Sequence, residues 1–562
     1  MMKLHIPHWR VAVASILLAL TGASPAAADS HRLRAHGKLS VKAREDAKRA
    51  GKGKIDVIVR FRRNPGAAER SLVAASGGTV RRQNRSRWMT LRMPASAVAA
   101  LADNPSVEFV ASDAPLAASM EASRATTGLP TAVMPESALK GAGVTVAVVD
   151  SGVALHPEIQ TLVASVDLVS NLDPLFAPGG SIDPNGHGTH VAGIIAGNGS
   201  HSDQGRLAGI APEANLVSLR VLDGSGRGSS STMLAALEWV LAHKDEYGIR
   251  VMNLSLGHPV YEPAEVDPLV QAVDELWDAG VVVVCAAGNS GRDGHGTVTS
   301  PCNSRKVITV GAINDRKTED LTDDTVATYS SRGPTRLDLV AKPDLLAPGN
   351  KIVSLRSAGS HLDLEFPASR VAGDSSQPGV FEHFELSGTS MASPFVAGAA
   401  ALMLEQDPTL NPTTVKARLM LTARKAAVGD PFATGAGLLD ITAALQSTIQ
   451  VSVAPSPLVQ PDGDGRLTVE NTATLWSSPA ASLQTLWGSA VLWSDLSADG
   501  ATVTTYAVLW PDTDAMATLW PESTTSAEAT LWPESTLWSE AVLWPDEDGG
   551  ILSFSTGSVV DP

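Results

Sequence analysis

Hydrophobic residues in the middle of the chain follow two alternating patterns. Near-continuous runs rich in β-branched residues are typical of strands that are buried on both faces of a parallel sheet. Between these runs, apolar residues recur at helical spacing. The strand-like runs are 144–150, 215–223, 249–257, 280–289 and 307–312, and helical segments lie at 232–244 and 268–280. The pattern predicts a doubly wound α/β domain with a mostly parallel sheet over residues 119–447.

A smaller unit is predicted ahead of this domain, over residues 29–118. Its pattern changes from strand to helix and back in the order strand, helix, strand, strand, helix, strand. The corresponding segments are 54–61, 67–76, 78–82, 86–93, 94–104 and 106–112. This βαββαβ order predicts a small ferredoxin-like α+β module.

The C-terminal region, residues 448–562, carries a short repeat. Eight tryptophans lie here, each preceded by leucine, in motifs such as ATLWSS and AVLWPD. Over residues 530–547 the motif recurs every six residues, and elsewhere its spacing is irregular, which argues against a propeller or a strict solenoid. We expect β or irregular structure. The motifs either pack against each other or the rest of the chain, or they bind a surface, a glycan or a partner.

The first 28 residues have the pattern of a secretory signal. Lys3 and Arg10 give a basic start, residues 11–22 are apolar, and alanines 26–28 suit signal cleavage. The apolar stretch is shorter than the roughly 20 residues that a membrane-spanning helix needs. We therefore expect a secreted protein, extracellular, periplasmic or on the cell surface, with no transmembrane span after maturation.

Charge divides the chain at similar positions. The net charge is −16, yet residues 29–118 are basic, with runs such as RFRR at 60–63. An acidic remainder makes nucleic acid an unfavourable partner, and it is itself the simplest partner for the basic segment. The only two cysteines, Cys285 and Cys302, exclude a disulfide framework, and the sequence leaves open one bridge or two buried thiols.

Four polar residues lie at the ends of predicted strands or the starts of predicted helices. Asp150 and Asn289 each end a strand, and His187 and Ser390 each open a helix rich in small residues. In doubly wound sheets, sites form outside the carboxyl ends of the strands, so these groups can meet in space. A serine nucleophile needs a histidine base, a carboxylate that orients the imidazole, and donors for the oxyanion. The four residues together predict acyl-transfer chemistry.

Each of these residues also has a plainer interpretation. Ser390 could only cap its helix, and Asp150 or Asn289 could simply form a turn. His187 and His190 could be structural or a metal pair, although their spacing does not match the pattern of metalloprotease helices. The joint occurrence of all four groups favours catalysis.

Four motifs resemble the signature blocks of the subtilisin-like serine proteases, the subtilases. They are DSGV at 150–153, HGTHVAG at 187–193, AAGN at 286–289 and GTSMASP at 388–394. Their order of Asp, His and Ser is that of subtilisin, and the similarity covers roughly residues 140–445. The resemblance implies that Ser390 is the nucleophile, His187 the general base and then acid, and Asp150 the orienting carboxylate.

The resemblance further implies that Asn289 donates to the oxyanion and that two segments edge the substrate cleft. These segments are Gly224-Ser225-Gly226 and Ser255-Leu256-Gly257, between which a polypeptide substrate would bind as an added strand. Thr299 and Cys302 fall near the wall of the specificity pocket.

Under the same resemblance, residues 29–118 would be a propeptide that acts as an intramolecular inhibitor, with self-cleavage near residues 112–125. Many secreted relatives carry a calcium loop that corresponds to residues 197–209. No convincing ligand pattern occurs there, so no metal or other cofactor is required, calcium remaining an alternative. Asp183 and Asp203 are expected to be solvated loop carboxylates, and residues 359–383 could border the cleft.

These observations favour a secreted serine endopeptidase made as an autoprocessed precursor. One alternative is a non-catalytic binding protein on a subtilase scaffold, although such a protein would be expected to lack one of the four groups. The other is a processing protease with few substrates that is targeted by its Leu-Trp repeat.

Overall fold

The structure is a computed structural model, and it describes most of the chain between residues 37 and 481. The described residues are 37–83, 86–118, 139–170, 182–316, 324–373, 379–425, 430–461, 467–478 and 481, with short strands at 502–503, 506–509 and 517–520. The predicted signal peptide and most of the Leu-Trp repeat lie outside these residues.

The N-terminal module contains the expected βαββαβ order and one additional helix at its start. Its helices are α1 (Val41–Ala50), α2 (Ala67–Ala75) and α3 (Val98–Asp103), and its strands are β1 (Lys54–Phe61), β2 (Thr79–Gln83), β3 (Trp88–Pro94) and β4 (Val107–Ser112). The four strands form an antiparallel sheet in the order β2-β3-β1-β4. The additional helix begins at Ser40, whose side chain accepts a hydrogen bond from the Ala43 amide. Its sequence is too polar for an apolar stripe to reveal it.

The sheet of the module has two buried faces with different partners. One face packs with its own helices around residues such as Val57, Met89 and Leu91. On the other face, Ile58 and Trp88 join the core of the following domain. The module is therefore packed against the larger domain through one face of its sheet.

A short strand, β5 (Pro115–Ala118), leaves the module and ends the described N-terminal segment. The larger domain then begins with its central sheet. The strands of this sheet are β6 (Thr145–Asp150), β7 (Leu162–Asp167), β8 (Asn215–Arg220), β10 (Ile249–Leu254), β12 (Val282–Ala286), β13 (Ile308–Asn314), β14 (Thr325–Val326) and β15 (Leu345–Pro348), while β9 (Arg227–Ser229) and β11 (Leu256–Gly257) lie outside it.

The central sheet has the order β14-β13-β12-β10-β6-β8-β7, with β15 beside β13. Every pairing is parallel except that of β14. The predicted doubly wound, mostly parallel α/β fold is confirmed. Strands β12, β10 and β6 are neighbours, so Asn289 and Ser255, which follow the first two, and Asp150, which ends the third, lie at one edge of the sheet.

Helices cover both faces of the sheet. They are α4 (His187–Ala196), α5 (Ser230–Tyr247), α6 (Pro268–Asp278), α7 (His361–Glu365), α8 (Thr389–Gln406), α9 (Pro412–Thr422), α10 (Pro431–Thr434) and α11 (Ile441–Gln446). Helix α8 is buried from Thr389 to Leu404, which explains its small residues, because it packs against α4 and several strands. A three-stranded sheet of β16 (Ile352–Leu355), β18 (His383–Leu386) and β17 (Arg370–Val371) precedes α8.

The packed structure continues past residue 447, where the sequence predicted the domain to end. Trp476, the first tryptophan of the Leu-Trp repeat, is 1% exposed and packs with Val451, Ala454 and Met420. Its indole donates to the carbonyl of Pro455 at 2.9 Å. The elements here are β19 (Val459–Pro461), β20 (Leu467–Val469) and α12 (Thr472–Leu475). The first copy of the repeat therefore belongs to the core of the large domain.

Further along the repeat, β21 (Thr502–Val503) pairs with β20, and β22 (Tyr506–Leu509) pairs antiparallel with β23 (Ala517–Trp520). Two of the repeat copies thus form strands that pair with each other. No helix within the described residues is long and apolar enough to cross a membrane.

Candidate active site

The site begins with a carboxylate and an imidazole at neighbouring ends of secondary structure. Asp150 is the last residue of β6 and His187 is the first residue of α4, and both side chains are fully buried. Nδ1 of His187 lies 2.7 Å from Oδ1 of Asp150, which also accepts the Ser151 amide at 2.7 Å. This contact fixes the imidazole with Nδ1 toward the carboxylate. Nε2 has no hydrogen-bond partner within the described residues, so it is available as a base.

The second histidine of the motif has a different environment. Nε2 of His190 lies 3.0 Å from the carbonyl oxygen of Phe384 and 3.1 Å from that of Ile352. Burial, together with His187 nearby, lowers the pKa of His190 to about 3. Nε2 of His190 thus contacts two backbone carbonyls, which favours the structural interpretation of this histidine over the metal pair.

Ser390 is the second residue of α8 and is fully buried. Its hydroxyl donates to the Ser255 carbonyl at 2.9 Å, whereas Oγ of Ser255 donates to the Ser390 carbonyl at 3.0 Å. These two bonds attach the start of α8 to the end of β10. Helices α4 and α8, which carry His187 and Ser390, pack together, but the Ser390 hydroxyl is bonded to Ser255 and makes no hydrogen bond to Nε2 of His187.

The side-chain amide of Asn289 is held beside the residue that precedes Ser390. Oδ1 of Asn289 accepts the Thr389 amide at 3.0 Å and the Thr389 hydroxyl at 2.9 Å. Nδ2 of Asn289 has no hydrogen-bond partner in the described part of the chain. Because Thr389 occupies the carbonyl end of the amide, the N–H end is the one left to donate. The sequence motifs drew attention to Asn289 but not to Thr389, and its position directly before Ser390 was the available signal.

Strand β5 occupies the position of an added strand beside these groups. It lies between β9 and β11 and pairs antiparallel with both. Leu256 pairs with Ala118, and Gly257 pairs with Ala117. Leu116 is 1% exposed and belongs to the main core, whereas Pro115 and Ala117 are exposed. One side of β5 is thus inserted into the large domain and the other faces solvent.

The second edge of this cleft differs in detail from the sequence prediction. Gly226 does contact the strand, since its carbonyl oxygen accepts the Ala118 amide at 3.2 Å. The ladder itself is made by residues 227–229. Gly224 and Ser225 form the turn before it, where the Gly224 carbonyl accepts Nδ2 of Asn185 at 3.2 Å. Antiparallel pairing with β5 is possible only in the extended part of the loop.

Two further residues were expected near a specificity pocket. A Cβ atom added to Gly257 or to Gly288 would meet Thr299 within 2.9 Å, so Thr299 does lie between these two segments. Cys302 donates to the carbonyl of Ala286 at 2.9 Å. Both cysteines are free and buried. Of the two alternatives left open by the sequence, the structure therefore has two buried thiols rather than a disulfide bridge.

The expectation for Asp183 was wrong. It is 5% exposed and lies behind the Asp150–His187 pair rather than in solvent.

Within the described residues, no group of three or more histidine, cysteine, aspartate or glutamate side chains is arranged to hold a metal ion.

The sequence family agrees with this geometry. The model of the subtilase family matches residues 141–437. Serine protease AprX of Bacillus subtilis (strain 168) is 44% identical over 54% of this chain and 66% of its own length, a little under two thirds. Subtilisin DY of Bacillus licheniformis is 35% identical over 55% of this chain and 92% of its own length.

A solved structure supports the fold independently. The crystal structure of fervidolysin from Fervidobacterium pennivorans, a keratinolytic enzyme related to subtilisin, matches with a TM-score of 0.57 and 22% identity. The match covers 74% of this chain and 64% of fervidolysin. Fold and site together define a subtilisin-like serine protease. The chain belongs to the subtilase family of serine endopeptidases.

Proposed function

We propose that this chain is a secreted endopeptidase that hydrolyses peptide bonds with Ser390, His187 and Asp150, and that it is made as an autoprocessed precursor. The observation that carries the proposal is the 2.7 Å contact between buried His187 Nδ1 and Asp150 Oδ1. It leaves Nε2 of the imidazole as the base, beside the helix that carries Ser390.

The reaction follows from the positions of these groups. Nε2 of His187 accepts the hydroxyl proton as Ser390 attacks the carbonyl carbon of the substrate, and Asp150 stabilises the imidazolium that forms. Nδ2 of Asn289 donates to the oxyanion of the tetrahedral intermediate. His187 then returns the proton to the departing amine, and water repeats the cycle on the acyl-enzyme.

Substrates are polypeptides bound in the extended conformation. Backbone pairing of β5 with both β9 and β11 supports this, since backbone pairing binds a strand with little regard to its side chains. Because β5 is part of the same chain, the module would block the cleft until it is removed. Residues 29–118 thus act as the inhibitory propeptide, and the signal at residues 1–28 directs the precursor to export.

The test compares the wild type with Ser390→Ala, by mass spectrometry and on a general peptide library. The wild type should lose its N-terminal module and cleave peptides, and Ser390→Ala should stay full length and inactive. A matched control is Ser393→Ala, which removes a hydroxyl on the same helix that contacts Ser255 and should be processed. Equal processing of the wild type and Ser390→Ala would refute the proposal.

A further inference from the structure

Asp183 is a buried carboxylate that lies four residues before His187. Burying an ionised carboxylate is costly unless its oxygens are supplied with donors. Burial raises the pKa of Asp183, and hydrogen bonds to its oxygens oppose that rise.

Both oxygens of Asp183 accept hydrogen bonds from the start of helix α4. Oδ1 accepts the Gly186 amide at 2.7 Å and the Asn185 amide at 3.2 Å. Oδ2 accepts the amide of Thr189 at 2.8 Å and its hydroxyl at 2.7 Å. Helix α4 begins after Gly186, which has no capping side chain. Asp183 therefore supplies the negative charge and the acceptors that the first turn of the His187 helix needs.

The same carboxylate also contacts the turn that carries Asp150. The Ser151 hydroxyl donates to Oδ1 of Asp183 at 2.8 Å and accepts the Gly188 amide at 3.0 Å. Ser151 directly follows Asp150, and Gly188 directly follows His187. One serine side chain thus joins the two segments that must stay in register for the Asp150–His187 contact.

A second element supports the loop from outside. The hydroxyl of Ser357 donates to the Asp183 carbonyl at 2.9 Å, and the first amides of α7 donate to Pro184 at 2.9 Å and Asn185 at 3.0 Å. The carboxylate of Asp363, in α7, accepts hydrogen bonds from the guanidinium groups of Arg356 and Arg370. Part of the segment 359–383, which was expected to border the cleft, therefore supports the loop before His187.

We propose that Asp183 is a positioning residue for the catalytic pair: through Ser151 and the first turn of α4 it fixes the distance and angle between Asp150 and His187. It touches neither substrate nor the reacting atoms. The inference rests on the proposed peptidase function, because the pair that it positions is the pair that activates Ser390.

The experiment uses the isosteric variant Asp183→Asn in the full chain, with Asp203→Asn as the matched control. Asp203 lies in the loop 197–209, outside this network. Rates are divided by the concentration of processed enzyme whose Ser390 reacts in an active-site titration. Misplacement of a catalytic group by about 1 Å can cost about 100-fold, so we expect kcat to fall about 10- to 100-fold with KM changed less than about threefold.

A spectroscopic measurement separates positioning from general loss of structure. The proton of Nδ1 of His187 that is shared with Asp150 gives a low-field NMR resonance, which should move upfield or broaden in Asp183→Asn and stay unchanged in Asp203→Asn. Should Asp183→Asn not fold, Ser151→Ala, which removes only the joining hydroxyl, should show the same changes more weakly.

Wild-type kcat with an unshifted resonance in a folded Asp183→Asn protein would overturn the proposal, and so would a fall in kcat with an unshifted resonance. If Asp183→Asn does not fold, an unshifted resonance in Ser151→Ala would overturn it. An inactive wild type would refute the proposed function instead, and the resonance would still test the role of Asp183.

Discussion

Ala118 of the N-terminal module pairs with Leu256 of the large domain in an antiparallel ladder. The residue before Leu256 is Ser255, whose carbonyl accepts the Ser390 hydroxyl at 2.9 Å. In an antiparallel ladder, the partner of Ser255 is the residue after Ala118. The register of β5 therefore directs the end of the module toward Ser390, the proposed nucleophile.

The first prediction concerns the position of self-cleavage. Because Ser119 follows Ala118, we expect the bond between Ser119 and Met120 to be cut, within the range 112–125 predicted from sequence. These two residues lie outside the described ones, so the prediction rests on the register alone. N-terminal sequencing of the mature wild type should begin at Met120. A first cut before Leu116 would contradict this register.

The second prediction concerns substrate choice. Leu116 is buried in the large domain while its neighbours in β5 are exposed, and full burial of such a side chain contributes about 1.5–3 kcal/mol. A peptide that contains PLAAS followed by Met should be cleaved after Ser about 10- to 100-fold faster, in kcat/KM, than the same peptide with PAAAS. Replacing the exposed alanine, as in PLSAS, should change kcat/KM less than about threefold. Equal rates for PLAAS and PAAAS would show that the pocket around Leu116 does not select substrates.

The third prediction concerns the proposed oxyanion donor, Asn289, and the residue that orients it. Loss of such a donor lowers kcat about 10²–10³-fold, so Asn289→Ala should show this fall with little change in KM. Thr389→Val removes one of two bonds that hold the amide and should lower kcat about tenfold. Rapid kinetics on a chromogenic peptide would measure both. A Thr389→Val enzyme as slow as Asn289→Ala would mean that Thr389 does more than orient the amide.

The fourth prediction concerns the pH dependence of module release. Glu262 of the large domain is 5% exposed, and the groups around it are Asp267 on its own side and Ser40, Lys42 and Asp46 on the module. Burial, with Asp267 nearby, raises the pKa of Glu262 from 4.5 to about 8. Burial also raises the pKa of Asp113 at the same interface, although Ser231 donates to it.

The direction of this pH dependence follows from the protons that are taken up when the module docks. The bound state holds these protons more tightly than the released state, so docking of the module takes up protons between about pH 4.5 and 8. The module binds the large domain most tightly below this window, and the additional affinity is lost as the pH rises through it. We expect the lag before peptidase activity appears to shorten about tenfold or more from pH 5.5 to 8.5. Glu262→Gln should flatten this dependence, and an unchanged pH profile in that variant would exclude Glu262 as its source.

The fifth prediction concerns stability. Trp476 is buried in the apolar cluster formed by residues 449–481 and the large domain, and removing a large buried side chain costs about 3–5 kcal/mol. Trp476→Ala should lower the melting temperature of the mature enzyme by several degrees, as should truncation after residue 447. Val453→Ala, at a position that is 44% exposed, is the control and should have little effect. An unaffected melting temperature in Trp476→Ala would mean that the segment is not part of the folded unit.

Local sequence determined the class of fold and drew attention to the candidate catalytic groups. Runs of β-branched residues need no partner to be recognised, because a strand buried on both faces must be apolar throughout. Asp150, His187, Asn289 and Ser390 were identifiable because each stands at the end of such a run or the start of a helix, together with short motifs of fixed spacing. The βαββαβ order of the module could likewise be predicted from the spacing of its apolar residues.

Tertiary structure decided what depends on contacts between distant segments. Asp183 looks like any polar loop residue, and only the approach of Ser151 and the first turn of α4 makes it a buried acceptor. Trp476 shares its Leu-Trp pair with the other copies of the repeat, and nothing in that pair records the facing cluster of the large domain that buries it. Residues 227–229 form the ladder with β5, and Gly226 adds one backbone hydrogen bond to Ala118, whereas the sequence pointed to residues 224–226. Such contacts join residues far apart in the chain, and no local period records them.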